Sequence, residues 1–189
     1  MNPYAVVVLV ALVGDYVLGL VSAALSLRAL SSTLPAEFTG VFDRDHYARS
    51  QDYTRVRTRF GLLRGTLDLA VLLVWWHAEG FEWFDRLVRG LGFESIITGL
   101  IYIGALGLAS LVLGLPFRIY ATFGIEERYG FNRTTPTTFV ADLLKALLLA
   151  AVLGGTLLTV VLIFFEWAGP LAWLWCWLTA TAAMLAVQF

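Results

Sequence analysis

The chain is short of charge, nearly without histidine and all but without cysteine. Its one cysteine, Cys176, stands in an apolar run, so neither a disulfide framework nor a zinc ribbon can be built from it. Lys, Arg, Asp and Glu make up 14% of the 189 residues, against about 25% in soluble domains. The net charge of −1 offers no basic excess for nucleic acid. Internal repeats and low-complexity linkers are also missing.

What is there is apolar. Hydrophobic residues account for 59% of the chain and the mean hydropathy is +0.79. Five stretches approach the roughly 20 residues needed to cross a bilayer core: residues 4–27, 60–77, 96–115, 139–165 and 171–189. The expected fold is an all-α polytopic membrane bundle of about five transmembrane helices, forming one domain over residues 1–189. The first stretch opens at Pro3 with no Lys or Arg before it. It reads as a retained span, because a cleavable signal peptide has a charged start and a shorter apolar core.

The loops set the expected orientation. Arg28, Arg44, Arg49, Arg55, Arg57 and Arg59 crowd the first loop, and Arg118, Arg128 and Arg133 the third. Arg86 and Arg89 in the second are offset by Glu79, Glu82, Asp85 and Glu94, and the fourth has no basic residue. The excess of positive charge on the inner side makes loops one and three cytoplasmic. The N-terminus then lies outside, in the periplasm or a lumen, and the C-terminus in the cytoplasm. All seven tryptophans, from Trp75 to Trp177, fall near the expected outer interface, the depth indole rings favour. His46 and His77 fall on opposite sides in this topology, which keeps them from sharing a metal.

Within the first loop, Thr39-Gly40 after Pro35 predicts a break. Asp43 is then a plausible N-cap, and the run to Phe60 lacks Gly and Pro. The second span is therefore expected to begin as a cytosolic helix. The mixture of apolar and charged residues over 81–93 predicts a short interfacial helix.

Charges within spans are costly and face the bundle interior or water. Asp15 has no partner on its own helix. It must face another helix, face water or be protonated. Arg64 and Asp68 have the i, i+4 spacing of a pair; they form either a self-neutralised structural pair or part of a hydrated wall. Asp142 and Lys145 read as a structural pair, and Arg55, Arg57 and Arg59 as an anchor to lipid head groups. The small residues Gly99, Gly104, Gly107, Gly154 and Gly155 predict close helix packing.

The densest polar block is Phe123-Gly-Ile-Glu-Glu-Arg-Tyr-Gly-Phe-Asn-Arg-Thr-Thr-Pro-Thr-Thr-Phe139. Gly130 and Asn132 tolerate left-handed backbone, and Thr135-Pro136 suits a helix start. Loop chemistry alone predicts a reversal in which Glu126 and Glu127 pair with Arg128 and Arg133. It does not require Glu126, Glu127 or Phe131.

This block resembles the loop before the fourth helix of type I CAAX prenyl proteases, which are membrane-embedded zinc metalloendopeptidases. The residues that carry the resemblance are Glu126-Glu127, Tyr129-Gly130-Phe131-Asn132 and the Thr-rich helix start. Gln51-Asp-Tyr-Thr-Arg55 followed by Phe60-Gly61 is similar to the family's approach to its second span. The layout of five spans, an outside N-terminus and a long basic first loop also matches. The resemblance implies a membrane domain enclosing a chamber for a peptide or lipidated protein C-terminus, embedded in the lipid bilayer. It implies that Glu126, Glu127, Phe131 and Asn132 line the substrate path or contact a partner domain, and that Asp15, Arg64 and Asp68 suit the chamber wall. The family's H-E-x-x-H zinc motif does not occur in residues 1–189. No catalytic or metal residue, and no cofactor, is assigned within this chain. Zinc is expected in a cytosolic protease domain following the fifth span, whose uncapped run to Phe189 suggests a shortened chain. Two other classes stay open on the residues alone: a stand-alone membrane scaffold or binding protein, and a small transporter.

Overall fold

The computed structural model describes residues 2–31 and 43–188. The expected break at Thr39-Gly40 lies outside them. The described residues are helical throughout, joined by short turns. Helix α1 is Pro3–Ala29, α2 is Arg44–His77, α3 is Gly80–Arg89 and α4 is Ser95–Ile119. A π-helical segment, Tyr120–Glu126, continues α4. After the polar block come α5 (Pro136–Leu149), a second π segment (Ala150–Gly154), α6 (Gly155–Trp167), a 3-10 turn (Gly169–Leu171) and α7 (Ala172–Gln188).

The helix starts follow local chemistry. Asn2 caps α1 by accepting from the Tyr4 N–H at 3.1 Å, with Pro3 at the first helical position. Asp43 caps α2 through the Asp45 N–H at 3.3 Å. Thr135 caps α5 through the Thr138 N–H at 3.2 Å, satisfying an otherwise orphan donor.

Helices occupy each of the five apolar stretches. Pro3–Ala29, Ser95–Glu126 and Pro136–Trp167 are long and apolar enough to cross a membrane. In α2 the apolar half is diluted by Arg64 and Asp68, and α7 has only 17 residues. The third apolar stretch does not stop at Leu115. The helix runs through Pro116, because in a long apolar helix neighbouring groups re-satisfy the backbone that proline frees.

The chain divides into two compact units, residues 1–80 with 114–133, and residues 81–113 with 134–189. In the first, α1 meets α2, and α2 meets the first π segment. Tyr16 and Thr66 join α1 to α2 through a 2.6 Å hydrogen bond. Thr66 gives its proton to the Leu62 carbonyl at 2.7 Å, so Tyr16 is the donor. In the second unit α6 meets α7, and α4 meets α6 at Gly99.

The glycine stripe is narrower than expected. A Cβ on Gly99 would lie 2.9 Å from Leu162 Cδ1. Nothing lies within 4 Å of the same position on Gly104, Gly107, Gly154 or Gly155. Among these five glycines, only Gly99 marks a close approach.

Candidate functional site

The polar block is a reversal built on one carbonyl. Glu126 O accepts from the N–H of Phe131 at 2.9 Å and of Asn132 at 3.2 Å. Gly130 closes the turn at φ +75°, a region in which a side chain is disfavoured. Asn132 was expected to share that role but has no positive φ. Its side chain acts instead, donating from Nδ2 to Glu127 Oε2 at 2.7 Å.

The expected pairing of Glu126 and Glu127 with Arg128 and Arg133 does not form. Among the described residues neither glutamate makes an ion pair. The Arg128 guanidinium lies 5.9 Å from the centre of the Tyr129 ring, within cation–π range. Ring contact and the amide of Asn132 thus replace the arginine pairing that sequence neighbours suggested.

The reversal is fastened to the polar half of α2. The Tyr129 hydroxyl donates to Asp52 Oδ2 at 2.6 Å. The Tyr53 ring meets Tyr129 edge-on at 5.5 Å and Phe131 at 4.6 Å. Arg57, one turn on, donates to the Tyr53 hydroxyl and lies 5.7 Å from its ring centre. Arg55 pairs with Asp52 at 3.8 Å. Further along α2, Phe60 packs on Phe117 at 6.2 Å and on Tyr120 at 5.2 Å. Tyr129 and Ile125 are buried, whereas Phe131 is 52% exposed. The bond to Asp52, with burial acting in the same direction, raises the Tyr129 phenol above its ordinary 10.0.

The two segments singled out in the sequence, Gln51–Arg55 and Glu126–Asn132, are therefore in direct contact. Sequence reasoning placed Phe131 and Asn132 among the candidates but not Asp52 or Tyr53, which hold the loop. The only signal was that both segments resembled the same family; the 77-residue separation of Asp52 and Tyr129 hides the contact.

The charges within the apolar stretches are arranged differently. Arg64 Nε stands 3.5 Å from Asp68 Oδ2, as the spacing predicts. Arg64 Nη2 lies 3.3 Å from where Gly114 would carry a Cβ, so the missing side chain leaves room for the guanidinium beside α4. Asp15 is exposed on α1 and, among the described residues, makes no ion pair. Asp142 pairs with Lys145 at 3.4 Å.

Among the described residues no three His, Cys, Asp or Glu side chains gather to hold an ion. His46 and His77 lie near opposite ends of α2, 31 residues and thus about 45 Å apart. The donor set does not fit zinc. What the site offers is an ion pair beside a cleared helix surface, and an aromatic latch under a polar loop.

Comparison with known proteins bears on this arrangement. The family model described as CAAX prenyl protease N-terminal, five membrane helices, matches residues 24–189. The probable CAAX prenyl protease 1 of Schizosaccharomyces pombe is 34% identical over 140 residues, covering 67% of this chain and 29% of that protein. CAAX prenyl protease 1 of Saccharomyces cerevisiae is 29% identical over 159 residues, covering 78% of this chain and 35% of that protein. The crystal structure of S. mikatae Ste24p superposes with a TM-score of 0.82 at 23% identity, covering all of this chain and 46% of that one, a likeness in fold. The chain spans about a third of the length of these curated relatives. With its all-α membrane architecture and a match over nearly its whole length, this chain belongs to the CAAX prenyl protease N-terminal family.

Proposed function

We propose that this chain is the membrane domain of a CAAX prenyl protease-like zinc metalloendopeptidase. In this reading it encloses and positions a peptide or lipidated protein C-terminus. Hydrolysis belongs to a separate cytosolic H-E-x-x-H domain of the same protein, where zinc would reside. The observation that carries the reading is the family match over residues 24–189. The proposed orientation has the N-terminus outside and the reversal at 126–132 on the cytosolic side, where Glu126, Glu127, Phe131 and Asn132 contact that domain or line the substrate path.

Arg64 suits the recognition of a carboxylate. Its Nε faces Asp68, leaving the terminal N–H groups of a planar fork that matches a carboxylate's two oxygens. Asp68 offsets its charge while no substrate is bound, and the missing side chain at Gly114 makes room for the guanidinium. Asp15 contributes a second polar position on the proposed hydrated wall.

The test is cleavage of a peptide with a CAAX-type C-terminus by the protein produced from its native gene, in liposomes. Cleavage abolished by a chelator and restored by zinc is expected. Arg64→Ala should raise KM about tenfold, roughly 1.4 kcal/mol, with kcat little changed. Absence of cleavage together with solute flux through the protein would point to a transporter and overturn the proposal.

A further inference from the structure

We propose that Arg57 is an outer capture point for the substrate's carboxylate, which meets it first and then passes about 10 Å along α2 to Arg64. This rests on the reading of Arg64 given above and adds a route of entry to it.

The route is set by helical spacing. At about 100° per residue, Tyr53, Arg57, Phe60, Arg64 and Asp68 fall within one stripe of roughly 80° along α2. Their contacts show which way the stripe faces. Tyr53 meets Tyr129 and Phe131, Phe60 meets Phe117 and Tyr120, and Arg64 lies beside Gly114. The stripe therefore runs along the segment from 114 to 131. Arg55 and Arg59 lie about 200° and 240° round the helix from Tyr53, on the opposite side. The three arginines that the sequence groups as one lipid anchor are thus divided, and Arg57 shares the face of Arg64.

Charge sets Arg57 apart. The neighbouring acid Asp52 is engaged by Arg55 at 3.8 Å and by the Tyr129 hydroxyl at 2.6 Å. Arg57 makes no ion pair among the described residues. Its Nη1 donates to the Tyr53 hydroxyl and its guanidinium lies 5.7 Å from that ring's centre, which holds the side chain in place. The residue is exposed, and the other N–H groups of its fork suit a carboxylate.

The two arginines are therefore fitted to different tasks. A cation without a local counter-ion draws an anion from a distance. Arg64, offset by Asp68 at 3.5 Å, acts at close range through the shape of its fork. No acid stands on the stripe between them, and Phe60 fills the interval. A carboxylate leaving Arg57 meets no like charge before Arg64.

Stopped-flow binding tests this with the protein from its native gene in phosphatidylcholine nanodiscs, with a chelator present to prevent turnover. The probe is a fluorescent CAAX-type peptide, and its C-terminally amidated form is the control. The acid form should associate faster than the amide. Arg57→Gln should slow association of the acid form about three- to tenfold at low salt and change dissociation less than about twofold. The difference should shrink in about 0.5 M salt, which screens it. Arg57→Lys should restore most of the rate, because steering needs the charge more than the fork. Arg59→Gln, on the opposite side, should change association less than about twofold. Equal slowing by Arg57→Gln and Arg59→Gln would overturn the proposal, as would an effect of Arg57→Gln confined to dissociation. An effect that requires added phosphatidylserine would overturn it too, making Arg57 a lipid contact. If Arg64→Ala abolishes the distinction between acid and amide while Arg57→Gln leaves association unchanged, this proposal fails alone. Acid and amide binding alike would overturn it together with the reading of Arg64.

Discussion

Tyr129 donates a 2.6 Å hydrogen bond to Asp52 across 77 residues of sequence, and this bond fastens the 126–132 reversal to the polar half of α2. Tyr53 reinforces it by contacting both Tyr129 and Phe131. Removing the hydroxyl by Tyr129→Phe should lower stability by about 1.5 kcal/mol, the low end for a bond to a charged group, since Asp52 is half exposed. A double-mutant cycle with Asp52→Asn, read by thermal unfolding in detergent, should show the two losses to be non-additive. Additive losses would mean the bond contributes nothing.

The same bond carries a pH dependence. The folded-state phenol is raised above its ordinary 10.0, so its stabilisation is fully present below pH 10. It declines as pH rises through the folded value. The stability gap between the native chain and Tyr129→Phe should be constant from pH 7 to 9 and close above pH 10. A gap that widens in alkali would reverse the assigned sign.

Much of this arrangement was legible in the sequence, and the limits have physical causes. Caps at Asp43 and Thr135 are local, and local chemistry fixed them. Arg64 with Asp68 and Asp142 with Lys145 follow from helical spacing. The π segments were not legible, because they depend on packing rather than propensity. The third apolar stretch was placed at 96–115, yet α4 continues beyond it through Pro116. The arginine partners assigned to Glu126 and Glu127 were wrong because adjacency in a loop says little about side-chain direction. Asp52 and Tyr53 were invisible as anchors because their partners lie far along the chain.

Gly130 is required by its backbone. At φ +75°, Gly130→Ala should destabilise by about 1–2 kcal/mol. Gly130→Asn should cost less, because asparagine tolerates this region better. Thermal midpoints of the two variants check the order; equal midpoints for alanine, asparagine and glycine would show that the turn relaxes freely.

Gly99 is required by its neighbour. An added Cβ would meet Leu162 Cδ1 at 2.9 Å, the end of a flexible side chain, so Gly99→Ala should cost only about 1 kcal/mol by overpacking. Gly99→Leu should cost more, and Leu162→Ala should restore part of that loss. No rescue by Leu162→Ala would place the conflict elsewhere.

The most direct test of the proposed substrate-enclosing role is photo-crosslinking. A CAAX-type peptide with a photoreactive residue near its free carboxylate is bound to the protein from its native gene in liposomes, and the adducts are mapped by mass spectrometry. The account predicts adducts on α2 around Arg64 and on α4 around Gly114, lost on Arg64→Ala and competed by unlabelled peptide. Adducts confined to residues outside this chain, or unaffected by Arg64→Ala, would contradict it.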